Sequence, residues 1–255
     1  MRIHHLNIDT VNKLGVFIIF FCKAFLRIFN RRQVFAVMEQ IYFIGAGSVH
    51  IVMLVALFTG MVLGLQLYNT LIRVGSTGYL GSVVALSLIR ELGPVLTAIM
   101  VTARAGSAMA TEIGIQRISE QIDALKSMRI DPVRYLVSPR IAAAVISFPI
   151  LTTLFNIVGI FGGYLSAVLL LGLNPGTYLN SIQSSVIMDD ITGGLIKSLV
   201  FGVIVCTICC FKGYFTHTLS RAHGAKGVGL STTSAVVLSC VFVLISDYTI
   251  TALIL

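Results

Sequence analysis

Charged side chains are scarce in this 255-residue sequence, and their scarcity decides its structural class. Asp, Glu, Lys and Arg make up only 11% of the chain, whereas they make up roughly 25% of a typical soluble domain. Hydrophobic residues account for 56%, and the mean hydropathy is +0.96. No polar stretch between the apolar runs is long enough for a soluble domain. The composition predicts a polytopic membrane protein whose residues 1–255 form one transmembrane domain.

The motifs of several enzyme classes are also missing. The sequence has no glycine-rich ATP-binding loop, no HExxH zinc motif and no GxSxG nucleophile motif. The histidines lack metal-ligand spacing, so we expect no metal and no other cofactor. The cysteines all lie in apolar stretches, which predicts small buried side chains rather than a disulfide framework. They are Cys22, Cys206, Cys209, Cys210 and Cys240. We therefore expect a protein that is not an enzyme.

Five apolar runs have the roughly 20 residues that a membrane-spanning helix needs, which predicts an all-α fold. They cover residues 49–72, 83–102, 141–171, 191–211 and 231–255. The third run is longer than one crossing requires and contains Pro149. We expect it to be tilted and kinked, or preceded by an interfacial piece.

The segment before the first run has a different pattern. Basic and aromatic residues recur at helical spacing over residues 10–38, which predicts an amphipathic helix lying in the membrane interface. A sixth crossing is the alternative, although Lys23 and Arg27 would both be costly at the centre of the bilayer. We also expect no cleaved signal peptide, because no small-residue cleavage site follows the apolar part.

The net charge of +8 comes from basic residues spread between the apolar runs. This distribution favours anionic lipid headgroups over nucleic acid as the partner. Lys and Arg concentrate before residue 33, between residues 104 and 140, and between residues 212 and 226, whereas residues 172–190 have none. The positive-inside rule therefore predicts a cytoplasmic N-terminus and a periplasmic C-terminus.

Arg90 and Glu91 are the charges predicted to lie deepest in the membrane. Charged side chains at such depth face a bundle interior, a wet cavity or each other. Pro94 has no amide hydrogen, so the carbonyl of Arg90 lacks its helical partner. The pattern fits a site for a phosphate-bearing headgroup, because guanidinium matches phosphate geometry. An internal ion pair that locks helix packing is the open alternative.

Other polar residues give weaker signals. Gln66 and Asn69, near the outer end of the first run, are further candidates for contact with a headgroup. Lys197 lies two helical turns from Asp189 and Asp190 and is expected to pair with them. The sequence assigns no role to Asp247. Arg104 is expected to anchor the inner end of the second run or to bind a phosphate. Two GxxxG pairs, Gly60 with Gly64 and Gly159 with Gly163, predict close helix packing within the chain or across a dimer.

The region 104–140 is predicted to lie in the cytoplasm. Apolar residues fall on one face of an amphipathic helix over residues 112–128, which is typical of a segment that a groove on a soluble partner grips. Those residues are Ile115, Ile118, Ile122 and Leu125, and Glu112 opens the helix. A helix lying on the membrane surface is the alternative. Asp131 and Pro132 predict an N-cap that opens another helix.

Several motifs in this order resemble the MlaE (YrbE) family of lipid ABC transporter permeases. They are Arg90-Glu91-Leu92-Gly93-Pro94, Ala103-Arg104-Ala105-Gly106-Ser107-Ala108, Glu112-Ile113-Gly114, Glu120-Gln121-Ile122-Asp123-Ala124-Leu125, Asp131-Pro132 and Ser138-Pro139-Arg140. The resemblance covers most of the chain.

The resemblance implies more than the residues show by themselves. It implies a homodimer with an interfacial N-terminal helix and five crossings, bound to cytoplasmic ABC ATPase subunits and to a periplasmic MCE-domain protein. Residues 112–128 would be the coupling helix, and Arg90 and Glu91 would lie near a phospholipid pocket at the dimer interface. The expected function is phospholipid movement between the inner and outer membranes, from a position in the bacterial inner membrane. A stand-alone proton-coupled secondary transporter is the alternative.

Overall fold

The computed structural model describes Gly15, Phe20, residues 34–216 and residues 224–254, and every regular element in this part of the chain is helical. The all-α prediction is therefore confirmed. Within the described residues, five helical stretches are long and apolar enough to cross a membrane, as the sequence predicted, whereas the alternative sixth crossing lies mostly outside these residues. They are Val34–Arg73, Thr77–Ile118, Val133–Leu170, Met188–Tyr214 and Gly224–Leu253, called here spans 1 to 5.

Spans 1 to 3 are built from several helical segments. Span 1 contains α1 (Val34–Ile44), the 3-10 turn Ala46–Ser48 and α2 (Val49–Arg73). Span 2 contains the 3-10 turn Thr77–Tyr79, α3 (Leu80–Ser87), the π-helical turn Leu88–Leu92, α4 (Gly93–Val101), the π-helical turn Thr102–Gly106 and α5 (Ser107–Ile118). Span 3 contains α7 (Ser138–Tyr164) between the π-helical segments Val133–Val137 and Leu165–Leu170.

The remaining helices complete the bundle. Short α6 (Gln121–Ser127) follows span 2, and short α8 (Pro175–Ser185) follows span 3. Spans 4 and 5 are the long helices α9 (Met188–Tyr214) and α10 (Gly224–Ile254).

Asp131 begins the helical stretch of span 3, as the N-cap prediction requires. Its Oδ1 accepts the backbone N–H of Val133 at 3.1 Å. The helical stretch passes through Pro139, which lies in the first turn of α7 where a proline needs no amide partner, and continues through the interior Pro149 to Leu170. The long third apolar run is thus one stretch of 38 residues, more than a single perpendicular crossing needs.

Span 4 is the centre of the bundle. Its most apolar window is 67% buried, compared with 28% in spans 1 and 5. It packs against α5 in span 2, α7 in span 3 and α10 in span 5. Buried polar residues on this helix, among them Asp190 and Lys197, therefore face other parts of the chain.

The two GxxxG pairs bring spans 1 and 3 together within the chain. A Cβ atom added to Gly60 would overlap the carbonyl of Gly159, so the helices approach to a distance that only glycine allows. Gly64 similarly lies against Ser166 and Gly163. Of the two arrangements that the pattern left open, the structure shows the intramolecular one.

The predicted interfacial helix, residues 10–38, lies mostly outside the described residues. Phe20 is described, and its buried ring contacts the rings of Phe211, Tyr214 and Phe215, with centroids 5.6 to 6.2 Å apart. These three residues lie at the end of span 4 that carries Lys212. Residues 34–38 belong to α1. The membrane orientation of the chain stays a prediction.

Candidate functional site

Arg90 and Glu91 lie on the π-helical turn Leu88–Leu92 in span 2. The turn precedes Pro94, where the missing amide hydrogen interrupts the regular ladder, and the N–H of Gly93 bonds instead to the carbonyl of Leu88. Since span 2 begins at Thr77, Arg90 lies 13 residues, or about 20 Å, along it.

Arg90 pairs with Asp190 of span 4 rather than with Glu91. Its Nε donates to Asp190 Oδ1 at 2.6 Å. The other carboxylate oxygen accepts the N–H of Ile187 at 3.2 Å, which fixes the acid at the start of α9. The Asp190 side chain is 6% exposed, whereas that of Arg90 is 49% exposed. Within the described part of the chain, both terminal nitrogens of the guanidinium are free to bind another group.

Glu91 pairs with Lys197, also of span 4. Lys197 Nζ lies 2.6 Å from Glu91 Oε2 and 3.2 Å from Asp247 Oδ1 in span 5. It also donates to Thr251 Oγ1 at 2.7 Å. The ammonium is 4% exposed, so these groups replace water around it.

One sequence prediction about this region is wrong. Lys197 does not pair with Asp189 or Asp190, because it faces spans 2 and 5 instead. The alternative of an internal ion pair is seen in another form, since Arg90 and Glu91 each pair with a residue of span 4 rather than with each other. Asp247, which the sequence left without a role, is a partner of Lys197.

The carbonyl freed by Pro94 also has a partner. Lys197 Nζ donates to the backbone oxygen of Arg90 at 3.0 Å. The sequence predicted the free acceptor but not the donor, which lies 107 residues away.

These interactions join spans 2, 4 and 5 in one polar group inside an apolar bundle. The group is called here the mid-span cluster, and it consists of Arg90, Glu91, Asp190, Lys197, Asp247 and Thr251. It contains three carboxylates, one each on spans 2, 4 and 5, and two cations, Arg90 and Lys197. Chemically, the cluster can offer an anion the two free guanidinium nitrogens of a half-exposed, firmly held Arg90.

Gln66 and Asn69 are not part of this cluster. Both are exposed on α2, and among the described residues neither side chain forms a hydrogen bond with Arg90 or Glu91. Their predicted contact with a headgroup stays a prediction.

The predicted single helix over residues 112–128 is wrong. The segment is divided into α5 and α6, separated at Ser119 and Glu120. Glu120 has a φ of 59°, a left-handed conformation that closes a helix and disfavours its continuation. The periodicity of the sequence continued across the break, so the apolar pattern alone gave no signal of it.

The break separates the four apolar residues that were predicted to share one face. Ile115 is 50% exposed and Ile118 is 40% exposed, both on α5. Ile122 on α6 is fully buried in the core, and Leu125 is partly buried against it. Of the four, only Ile115 and Ile118 are exposed enough to contact a partner directly. The exposed isoleucine surface is therefore smaller than predicted and lies at the end of α5.

Ion pairs hold the two short helices in place. Asp123 on α6 accepts from Arg117 at 2.8 Å and from Lys126 at 3.0 Å. Hydrogen bonds from Lys126 and then Arg117 hold the pKa of Asp123 below its ordinary value. Glu112, half-exposed on α5, pairs at 2.9 Å with Arg140, which is buried at the start of α7.

Arg104 connects span 2 with the turn between α1 and α2. One guanidinium nitrogen donates to the carbonyl of Phe43 and, at 3.3 Å, to Ser48 Oγ, and the group lies 5.1 Å from the centre of the Phe43 ring. Gly47 makes room for it, since a Cβ there would overlap the guanidinium. Arg104 therefore has an intramolecular partner and acts as an anchor of the α1–α2 turn.

The cysteines agree with the prediction of small buried side chains where they are described. Cys206, Cys209 and Cys210 are buried and free, and Cys240 is free and partly buried, while Cys22 lies outside the described residues. No group of three or more potential ligands among the described residues could hold a metal ion.

All residues of this site lie in the part of the chain that matches a known protein family. The family described as Permease MlaE matches residues 37–253. A probable ABC transporter permease of Rickettsia bellii is 41% identical over 248 residues, which are 97% of this chain and 94% of that protein. The intermembrane phospholipid transport system permease protein MlaE of Haemophilus influenzae is 42% identical over 216 residues, 84% of this chain and 81% of that protein. The chloroplast protein TRIGALACTOSYLDIACYLGLYCEROL 1 of Arabidopsis thaliana is 37% identical over 215 residues, 84% of this chain and 60% of that protein.

Proposed function

The chain belongs to the MlaE permease family, and from this premise we propose that it is the permease subunit of an ABC transporter that moves phospholipid between the inner and outer membranes. The name of the Haemophilus relative, an intermembrane phospholipid transport permease, supports the class of substrate. We also propose that the chain lies in the bacterial inner membrane with its basic connections in the cytoplasm.

One observation carries the choice of substrate site. Arg90 is held from one side by Asp190, yet its side chain is 49% exposed in the middle of an apolar span. A half-exposed guanidinium at this depth is costly unless it meets an anion or water. Two free nitrogens in a planar fork match the oxygens of a phosphate diester. Arg90 would bind the headgroup phosphate, with Glu91 beside it facing any positive headgroup nitrogen.

The exposed side of Arg90 requires a second wall, and a second copy of the chain supplies it. The Glu91 side chain is 41% exposed in one copy, so both charges would face lipid tails without a partner. In a homodimer the two sets of charges would border a shared cavity. Gln66 and Asn69 on span 1 would contact the headgroup only if they line its outer mouth.

ATP hydrolysis belongs to a separate subunit in this proposal. The end of α5 offers it exposed Ile115 and Ile118 beside half-exposed Glu112. Leu125 would contribute at the edge of this surface, whereas Ile122 would support it from inside the chain. A periplasmic MCE-domain protein would receive or deliver lipid at the opposite end.

Bound lipid tests the proposed site. The double variant Arg90→Met with Asp190→Asn removes both members of one pair, so the fold should survive. Phospholipid per purified chain should fall about tenfold, the effect of losing one charge-assisted bond. Asp189→Asn, a neutralised neighbour that is exposed, is the control. Wild-type lipid content in the double variant would remove Arg90 from the site.

Reconstitution with the co-purifying proteins tests the energy source. Phospholipid transfer between vesicle populations should require ATP and the ATPase subunit. Transfer driven by a proton gradient alone, without either, would establish the stand-alone transporter instead.

A further inference from the structure

Pro94 leaves a defect in span 2 at the position where Arg90 is needed. In a regular helix the amide of residue 94 would donate to the carbonyl of Arg90, but proline has no amide hydrogen. An unpaired carbonyl in a membrane span is destabilising, because no water is there to hydrogen-bond it. Lys197 Nζ fills the gap with a hydrogen bond of 3.0 Å.

Span 4 is shaped so that Lys197 reaches this carbonyl. A Cβ on Gly194 would lie against the backbone oxygen of Ile89, so glycine brings the two helices together beside the turn. Lys197 follows three residues later, on the same side of α9. The lysine stem is buried, and its ammonium arrives where spans 2, 4 and 5 meet.

The three hydrogens of the ammonium have clear acceptors. They are the carbonyl of Arg90 at 3.0 Å, Glu91 Oε2 at 2.6 Å and Thr251 Oγ1 at 2.7 Å. Asp247 Oδ1, at 3.2 Å, contributes charge and has no hydrogen-bond partner among the described residues. One hydrogen thus bonds to the neutral backbone oxygen of Arg90, although the carboxylate of Asp247 is nearby. Charge balance alone does not require this hydrogen bond.

We infer that Lys197 is the positioning residue of the headgroup site, because its ammonium replaces the amide hydrogen that Pro94 lacks and so holds the π-helical turn that presents Arg90. Lys197 does not touch the lipid. It fixes the backbone of Arg90 from one side while Asp190 fixes the guanidinium from the other. This role rests on the proposed function, in which Arg90 binds the phosphate.

A double-mutant cycle separates this role from simple charge balance. Lys197→Met should lower the unfolding temperature of the purified protein and reduce bound phospholipid about tenfold. Pro94→Ala restores an amide hydrogen at residue 94, so adding it to Lys197→Met should recover the part of both losses that comes from the turn, while the cost of the stranded carboxylates of Glu91 and Asp247 remains. Pro149→Ala is the matched control, because it removes another proline inside a helix, in span 3, where Lys197 makes none of its described hydrogen bonds or ion pairs.

The outcomes discriminate sharply. Rescue by Pro94→Ala but not by Pro149→Ala supports the positioning role. Rescue by Asp247→Asn with none from Pro94→Ala would show that Lys197 only balances charge and would overturn it. If Lys197→Met does not fold, the same cycle is measured with Asp247→Asn present throughout.

The unfolding temperature keeps this test apart from the proposed function. It reports the repair of the turn whether or not lipid binds there. Normal lipid content in Arg90→Met with Asp190→Asn would reject the headgroup site, and hence the role of Lys197 in it. If Pro94→Ala does not rescue Lys197→Met, but Arg90→Met with Asp190→Asn does lose bound lipid, the positioning role of Lys197 alone is rejected.

Discussion

The mid-span cluster and the segment 104–140, called here the basic-end segment, both contain ion pairs, but they form them in opposite ways. In the mid-span cluster the ion-pair partners are 50 to 106 residues apart in sequence, since Lys197 pairs with both Asp247 and Glu91, and at least one member of each pair is nearly buried. In the basic-end segment Glu112 pairs with the buried Arg140 of α7, but Asp123 bonds residues three and six positions away and is half-exposed. Distant buried pairs fix the packing of spans, whereas local exposed pairs only shape a surface.

This difference in burial indicates that the mid-span cluster is the more rigid of the two regions. Breaking a pair inside an apolar bundle strands a charge, so the mid-span cluster can hold Arg90 in one position for a ligand. Exposed ion pairs contribute little and are screened by salt. The surface around Asp123 could therefore adjust to the ATPase subunit that we propose as its partner.

Replacing Ile122 should have the largest effect on stability, because this residue of the basic-end segment is buried in the hydrophobic core. Ile122→Asp would place a carboxylate at a fully buried position and should destabilise the chain by about 4 kcal/mol or more. Ile118→Asp, at a 40% exposed position, should change stability by less than about 1 kcal/mol but abolish ATPase binding.

Thermal unfolding and pull-down of the ATPase measure the two effects separately. The contrast between the two isoleucines fails if Ile122→Asp is as stable as the wild type. Pull-down of the ATPase by Ile118→Asp at the normal yield would move the docking surface elsewhere.

The Arg90 pair should show the next largest effect. Since Arg90 is half-exposed, a double-mutant cycle of Arg90→Met and Asp190→Asn should give a coupling energy of about 1–3 kcal/mol, below that of a fully buried pair. The measurement is denaturant unfolding of the four proteins. The same cycle with Asp189 in place of Asp190 is the control, and equal coupling in both cycles would contradict the observed pairing.

The turn at Glu120 should give a smaller effect with a defined sign. A left-handed φ of 59° favours glycine, so Glu120→Gly should be more stable than Glu120→Ala by about 1 kcal/mol. Comparing the two variants removes the effect of the lost charge. If alanine is the more stable, residues 112–128 form a continuous helix after all.

Acid should produce the smallest effect, at Asp123. Hydrogen bonds from Lys126 and Arg117 lower its pKa in the folded protein, so its stabilisation is present above the ordinary carboxyl pKa and is lost as pH falls through the folded value. A titration of unfolding temperature downward from about pH 4 should show this loss. The loss should vanish in Asp123→Asn and shrink in high salt, and a loss that persists in Asp123→Asn would arise elsewhere.

Much of the fold could be predicted because hydropathy acts locally. Five runs of adequate length gave the five spans, although the described spans extend beyond most predicted boundaries. The Asp131 cap was also predictable, since Asp followed by Pro is a helix-start signal that depends on neighbours alone. The break at Glu120 could not be predicted in this way. The cost of its left-handed backbone is offset by the packing of Ile122 in the core, which depends on distant parts of the chain.

Hydropathy and motif order are enough to show that this protein spans a membrane, that it belongs to the MlaE permease family and that span 2 carries charge. Which charges meet depends instead on tertiary packing. Pairing depends on the rotation and height of each span against the next, and close contacts such as that of Gly194 with the Ile89 carbonyl set these quantities. Lys197 therefore meets Glu91, Asp247 and the Arg90 carbonyl instead of the acids nearest to it in sequence. Local patterns fix what each helix is, whereas contacts between distant residues fix how the helices face one another.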